Sequence, residues 1–345
     1  MKKWRMGIIG CGWAGEQHAN AMHALPDRIQ LCALADVDVG RAKSSAEKWD
    51  VPDWTASYED LLHLNDLDAV SICLPHHLHA SVAIAAADAG LHVLIEKPLA
   101  TTLAEADAMI ATADAGGVCL MVAENVRYHQ NYLRAADLIR SGALGDLFLV
   151  RIYREHQMHN YLRQRPWFLH EESAGIMVSG GIVDFDLLRM LAGDVTHVYG
   201  MEGAKALVEM VADDSCVALV GMQSGAAAVL VESFSLRTAH PGVSGTVHGS
   251  LGSLWFDSRP AGDRISLYRE SQDGQQELVE EIVNPASDTF QAEVSHFLDC
   301  LDNGAEPITS GREERNPLVA VLATYASMER GERVYLSEFE AEPES

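Results

Sequence analysis

The 345-residue chain is short of positive charge: 25 Lys and Arg stand against 50 Asp and Glu, a formal net charge of −25. Nucleic acid and anionic membranes both call for a basic surface, so neither is an expected partner. Cysteine is sparse and scattered. Cys11, Cys32, Cys73, Cys119, Cys216 and Cys300 form no CxxC pair and no cluster with metal-ligand spacing. Isolated cysteines among apolar neighbours read as buried thiols in a reducing compartment, which predicts a cytoplasmic protein. No run approaches the roughly 18 consecutive apolar residues of a membrane span. The brief basic start, Lys2-Lys3-Trp4-Arg5, leads into a short, glycine-broken stretch that makes a poor signal peptide. Internal repeats and low-complexity linkers are missing too. What is present suffices for packed cores: 48% of residues are hydrophobic, and the length suggests about two domains.

The first third alternates short apolar runs with helical patterns. Met6–Gly10, Ile29–Ala35, Ala69–Leu74, Leu91–Ile95 and Val118–Ala123 read as buried strands, with helices expected over Ala14–Leu25, Gly40–Trp49, Leu78–Ala89 and Leu103–Ala115. Such alternation predicts βαβ units on a doubly wound parallel sheet. After about residue 124 the texture changes. A helix over Tyr132–Ser141 precedes an alternating stretch at Leu147–Arg154, and from Thr196 to Val283 most segments read as antiparallel strands. Gly181–Leu191, Thr289–Leu301 and Asn316–Met328 read as helices, and the acidic tail from Glu338 as frayed. The expected fold class is α/β: an N-terminal Rossmann domain, 1–123, and a C-terminal α+β domain on an open, mostly antiparallel sheet, 124–345. The last helix is allowed to pack back on the first domain.

Gly10-Cys11-Gly12-Trp13-Ala14-Gly15 fits GxGxxG, follows the first strand and opens the first helix. Gly10 permits a tight turn, Gly12 the approach of a pyrophosphate, and Gly15 close helix–strand packing. The helix N-terminus turns free N–H groups toward the phosphates. Asp36 ends the second strand, 21 residues after Gly15, where an acid takes a ribose 2′-hydroxyl and repels a 2′-phosphate. NAD is therefore favoured over NADP, and Arg41 close by weakens that preference. The bland alternative is a structural glycine turn.

Leu74-Pro75-His76-His77-Leu78-His79 puts three histidines in four positions. No carboxylate or cysteine completes a metal site nearby, so none is predicted, and the stretch reads as a helix start lining the cofactor crevice. In Ala89-Gly90-Leu91-His92-Val93-Leu94-Ile95-Glu96-Lys97-Pro98-Leu99, an acid and a lysine end an apolar strand, where open α/β sheets place ligands. A lysine beside a nicotinamide can hydrogen-bond a substrate hydroxyl and help remove its proton. The alternative is a salt-bridged surface turn.

With these elements in register, the chain resembles the Gfo/Idh/MocA family of nicotinamide-dependent sugar and cyclitol oxidoreductases. The resemblance runs nearly end to end and rests on GCGWAG (10–15), LPHHLH (74–79), AGLHVLIEKPL (89–99), VAENVRYH (122–129), SGALGDL (141–147), DLLRMLAG (186–193) and the stretch 303–334. It implies that Lys97 stands next to nicotinamide and substrate. The implied cofactor contacts are Gly10, Gly12, Trp13, Ala14, Gly15, Asp36, Arg41, Leu74, Pro75, His76, His79, Glu96, Lys97, Asn125 and Trp167, with Arg165 and Trp167 resembling an element that closes over the nicotinamide. A homodimer or homotetramer built on the open sheet is also implied.

The sequence departs from the family at one place. Relatives carry an Asp and a His four apart before LLRxLxG, and DLLRMLAG aligns that pair with Ser179 and Val183. Val cannot ionise, and Ser needs a partner base. Asp184 is about 100° around the helix, while Asp186 lies on the right face, where relatives bind a substrate hydroxyl. Lys97 and His156 are the acid–base candidates, and Arg154, His156 and Asp186 the substrate contacts besides Lys97. A solvated loop histidine is the plain reading of His156. The expected function is NAD(H)-dependent hydride transfer on a sugar, cyclitol or related polyol. Alternatives are a dinucleotide-binding sensor that has lost turnover, and an enzyme that oxidises a sugar transiently for elimination or glycoside cleavage. The overall acidity favours a neutral polyol over a sugar phosphate.

Overall fold

The computed structural model describes residues 2–64, 66–237, 242–257, 263–284 and 287–341. It divides into two compact units, residues 1–125 with 288–315, and residues 126–287 with 316–345. The sequence division places one boundary after residue 123 and assigns 124–345 to the second domain, with the last helix allowed to pack back on the first. The structure instead returns 288–315 to the first unit.

In the first unit the strands are β1 (Trp4–Ile9), β2 (Ile29–Ala35), β3 (Asp53–Thr55), β4 (Ala69–Ile72), β5 (His92–Glu96) and β6 (Leu120–Ala123). Between them run α1 (Trp13–His23), α2 (Val39–Trp49), α3 (Tyr58–Leu62), α4 (His79–Asp88) and α5 (Leu103–Gly116). The strands pair in parallel in the order β3-β2-β1-β4-β5-β6. The order reverses between β1 and β4, and the crevice at their carboxyl ends is where such sheets bind ligands. Local chemistry sets the helix ends. Asp38 caps α2 by accepting from Arg41 N, and Thr102 with Glu105 forms a reciprocal capping box on α5. Short β3 and α3 gave no strong pattern, because few of their residues are buried.

The second unit holds α6 (Gln130–Arg140), β7 (Leu147–Glu155), α7 (His159–Arg163), α8 (Pro166–His170) and α9 (Ile182–Ala192). Strands β8 (Val195–Glu202), β9 (Ser215–Met222), β10 (Ala227–Ser233), β11 (Gly242–Gly249), β12 (Ser253–Asp257), β13 (Asp263–Glu270) and β14 (Gln276–Asn284) follow. α10 (Thr289–Asn303) then belongs to the first unit, where it packs on α1, and the boundary at 315/316 falls inside α11 (Gly311–Arg330). β15 (Val334–Tyr335) and α12 (Leu336–Phe339) end the described chain. The tail expected to fray from Glu338 is thus helical to Phe339, and residues 342–345 lie outside the described residues.

The nine strands run β14-β13-β12-β11-β7-β10-β9-β8-β15 and pair antiparallel except β7 with β10, which are parallel. Val150, Ile152, Leu230, Val247, Leu254 and Phe256 point to the buried face, against which α9 packs. On the opposite face, one row across the sheet carries Tyr199, Leu219, Val229, Arg151, Thr246 and Trp255, and this side is open.

Candidate cofactor and active site

The glycine loop is built as a phosphate cradle. Gly10 has φ +95°, and a Cβ there would meet Cys73 O at 2.2 Å. A Cβ on Gly15 would meet Gly10 O at 2.0 Å, so the start of α1 packs directly on the loop. At Gly12 a Cβ would meet nothing within 4 Å: this is open space, where a pyrophosphate approaches. Gly12 caps α1 without a side-chain hydrogen bond, leaving the first N–H groups for an anion. Ala14 lies in that first turn, and Trp13 is exposed with its ring edge-on to Phe290 at 5.9 Å.

Asp36 follows β2 directly and is buried. Its Oδ2 accepts from Cys11 N at 2.9 Å, its Oδ1 from Asp38 N at 2.8 Å, and Arg41 Nη1 approaches at 3.2 Å. Arg41 Nη1 also reaches Oδ1, at 3.4 Å, so the roughly four lone-pair directions of the carboxylate are engaged and a ribose hydroxyl would take the place of the half-exposed Arg41. Burial and Asp36 push the Cys11 thiol up to about 12, which keeps it protonated. The donors, the open space and the acid together fit a dinucleotide.

Across the crevice, Pro75 opens a short turn, His76–Leu78, that leads into α4. His76 is buried, its ring 5.8 Å from that of His79. His79 is fully buried: Nδ1 lies 2.7 Å from Pro98 O and Nε2 2.9 Å from Leu74 O. Burial pulls His79 below its usual value, against the two carbonyls. It therefore braces the two loops that carry Leu74 and Lys97. Lys97 follows β5 directly, half-buried, with a cis Lys97–Pro98 peptide. Asn125 Nδ2 donates to Thr289 Oγ1 at 2.9 Å, tying the end of the sheet to α10.

Behind Lys97 lies a buried polar group that no motif announced. His18, on α1, is fully buried, with Nδ1 2.8 Å from Ser71 Oγ and Nε2 3.2 Å from Glu96 Oε1. Glu293, on α10, is also fully buried; its Oε1 is 3.9 Å from His18 Nε2, and neither oxygen has a hydrogen-bond partner. Burial pushes Glu96 up, but the hydrogen bond and charge of His18, with Lys97, outweigh it and hold the carboxyl below its usual value. Glu293 is raised well above the carboxylate range by burial and by Glu96 and Glu124.

In the second unit, residues Met177–Gly181 form a π-turn ahead of α9. The spacing from Ser179 to Val183 thus leaves regular α geometry before it reaches α9. Both residues are buried, and Ser179 Oγ donates to Ala174 O at 3.2 Å. Asp213 anchors the turn by accepting from Met177 N at 2.9 Å and Tyr325 Oη at 2.7 Å. Arg154, on β7, gives Asp184 two hydrogen bonds, from Nε at 3.0 Å and Nη2 at 2.6 Å. Parallel register sets Glu232 of β10 beside Arg154, and Glu232 is pushed well above its usual value by burial and by Asp184. Asp186 is buried in a bidentate pair with Arg127, 2.5 Å at each oxygen. His156 lies one residue past β7, its backbone paired with Ser233 and Leu236 and its ring against Gly242. Trp167, on α8, has its ring 3.9 Å from that of Phe168, and Arg165 lies over Tyr161. The structure thus brings Arg154 to Asp184 and Asp186 to Arg127. Arg127, Glu232, His18 and Glu293 were not legible as site residues, because their partners lie 48 or more positions away in the chain.

Comparison with known proteins agrees with this geometry. The description "Oxidoreductase family, NAD-binding Rossmann fold" matches residues 4–124, and "GFO/IDH/MocA C-terminal domain" matches 132–255. D-apiose dehydrogenase of Paraburkholderia graminis is 30% identical over 99% of this chain and 92% of its own. The chain belongs to the Gfo/Idh/MocA oxidoreductases. A second relative, myo-inositol 2-dehydrogenase of Thermotoga maritima, is 27% identical over 97% of this chain and 99% of its own. Among solved structures, an oxidoreductase from Agrobacterium radiobacter in complex with NAD+, L-tartaric acid and magnesium superposes with a TM-score of 0.86. It is 22% identical, covering 98% of this chain and 99% of that one, a likeness of fold. As a Gfo/Idh/MocA protein the chain has an NAD-binding Rossmann domain and a mostly antiparallel second sheet. Among the described residues no helix is long and apolar enough to cross a membrane.

Proposed function

We propose that this Gfo/Idh/MocA oxidoreductase transfers hydride between NAD(H) and the hydroxyl or keto carbon of a sugar, cyclitol or related polyol. The observation that carries the reading is the first unit's arrangement: a glycine cradle open at Gly12, the Asp36 carboxylate just past β2 held by two backbone N–H groups and the displaceable Arg41, and Lys97 just past β5. The D-apiose and myo-inositol dehydrogenases that the chain resembles act, by name, on polyhydroxylated substrates. Gly10, Gly12, Gly15 and the α1 N–H groups hold the pyrophosphate, and Asp36 holds a ribose hydroxyl. The bound nicotinamide supplies or accepts the hydride. Lys97 Nζ holds the reacting oxygen and takes or returns its proton. With Ser179 and Val183 read as replacing the family's acid–base pair, we assign that task to Lys97, with His156 as a second candidate. Substrate hydroxyls are assigned to the Arg127–Asp186 pair and to Arg154. We further assign the open sheet face to a second copy of this chain, in a homodimer or homotetramer, and the protein to the cytoplasm.

The test mixes purified protein with NAD and a panel of sugars and cyclitols and follows absorbance of the reduced nicotinamide. Turnover with at least one polyol is expected, and Lys97→Ala is expected to lower it by at least a hundredfold while NADH fluorescence titrations stay within twofold. An unchanged rate in that variant removes Lys97 from the chemistry. The replaced pair at Ser179 and Val183 favours a second reading, a dinucleotide sensor; tight NADH binding without turnover on any substrate decides for it.

A further inference from the structure

Resting on the role assigned to Lys97 above, one group in the first unit has no explanation in cofactor binding. Glu293 is fully buried with two oxygens that no hydrogen bond satisfies. A buried ionised carboxylate without partners is costly, so such an acid persists as the neutral form or serves a purpose, and often both. His18 Nε2 faces it at 3.9 Å, the same nitrogen that lies 3.2 Å from Glu96 Oε1. Glu96 is the residue before Lys97 and is electrostatically coupled to it. The other nitrogen of His18 rests on Ser71 Oγ, a hydroxyl that can donate or accept as the ring changes its proton. α1, β4, the end of β5 and α10 thus converge on one histidine between two carboxyls, one held below and one well above the ordinary range. Glu124, Cys73 and His79 are the other titratable groups that bear on it. Carboxyls whose environments push them apart are the usual mark of assigned acid and base roles.

We propose that Glu293 is a buried proton store for Lys97, connected to it through His18 and Glu96. In the direction of carbonyl reduction, Lys97 Nζ gives a proton to the carbonyl oxygen, breaking an N–H bond and forming an O–H bond, the hydride being the cofactor's. Glu96, resting as the carboxylate, takes the Nε2 proton of His18 and passes it to the amine of Lys97, which restores the ammonium and its own carboxylate. The proton on Glu96 comes from Glu293 by way of His18 Nε2, which faces both carboxyls and passes a proton from one to the other. The net result is one proton moved from Glu293 to the product oxygen, and Glu293 reloads from solvent. Oxidation runs the same steps in reverse. Glu293, His18 and Ser71 touch no substrate and act as positioning residues.

The decisive variant is Glu293→Gln, which keeps the size and neutrality of the protonated acid but has no proton to release. We expect kcat for carbonyl reduction to fall about tenfold or more, with KM for NADH within twofold and the melting temperature kept or raised. Glu293→Asp is expected to recover part of the loss. A readout free of turnover is the infrared spectrum of the cofactor-free protein at neutral pH. The difference between the unaltered protein and Glu293→Gln, in which the contribution of Glu232 cancels, should show a protonated carboxylic-acid carbonyl band that shifts in D2O. Absence of that band from the difference spectrum overturns the store, whatever the activity. A folded Glu293→Gln protein with unchanged kcat also overturns it, because the acid would then be only structural. Should the unaltered protein turn over no polyol while the band is present, the proposed function is what has failed, and the store falls with it for want of a reaction.

Discussion

At the residue scale, the second unit's Glu232 carries the clearest consequence. Burial and Asp184 raise its folded-state pKa, while in the unfolded chain it titrates in the ordinary carboxylate range. Between those values the folded protein holds a proton that the unfolded chain has lost. Raising the pH through that window therefore weakens the fold, by up to about 1.4 kcal/mol for each pH unit. Glu232→Gln removes this dependence, so its melting temperature relative to the unaltered protein should climb as pH rises above the carboxylate range. Melting curves at a series of pH values check it, and a constant difference would show that Glu232 is ionised in the fold. None of this is legible in the chain. Arg154, Asp184 and Glu232 lie in β7, α9 and β10, and the parallel β7–β10 pairing with the packing of α9 on β7 makes them neighbours.

At the scale of elements, the glycine loop was readable because its constraints are local. Strand, turn and helix occupy consecutive residues, and the contact that forbids a side chain at Gly15 is with the carbonyl of Gly10, five residues back. Gly15→Ala forces α1 off the loop: a Cβ 2.0 Å from a backbone oxygen leaves no flexible atom to yield. We expect a stability loss of roughly 1–3 kcal/mol and NADH binding weakened by at least tenfold, read by urea unfolding and fluorescence titration. Binding at the unaltered affinity would show that the loop does not hold the dinucleotide. The start of α9 was less readable. A regular α spacing was assumed from Ser179 onward, but Met177–Gly181 form a π-turn in which Gly180 lets Arg154 and Glu232 come close. Pairs of glycines mark such a place only weakly, since the turn is held by distant Asp213 and Tyr325.

At the scale of the whole molecule, the nine-stranded sheet exposes Tyr199, Leu219 and Trp255 on its open face. Large apolar side chains in one row across a sheet are unusual on a lone monomer surface. With that face assigned to a second copy, Trp255→Glu is expected to shift the protein from an oligomer to monomers in size-exclusion chromatography with light scattering. A monomeric unaltered protein would refute the assignment. The sequence by itself determined the βαβ alternation, the phosphate cradle, the Asp36 position and the EKP element, because each rests on spacing and propensity within a few tens of residues. The tertiary structure alone decided that 288–315 belongs with the first unit, that β7 and β10 run parallel, and which acids meet which bases. Those outcomes depend on burial and on pairing across long separations. Desolvation, which pushes the Glu293 and Glu232 carboxyls well above their usual range, is a property of packing and has no counterpart in the order of residues.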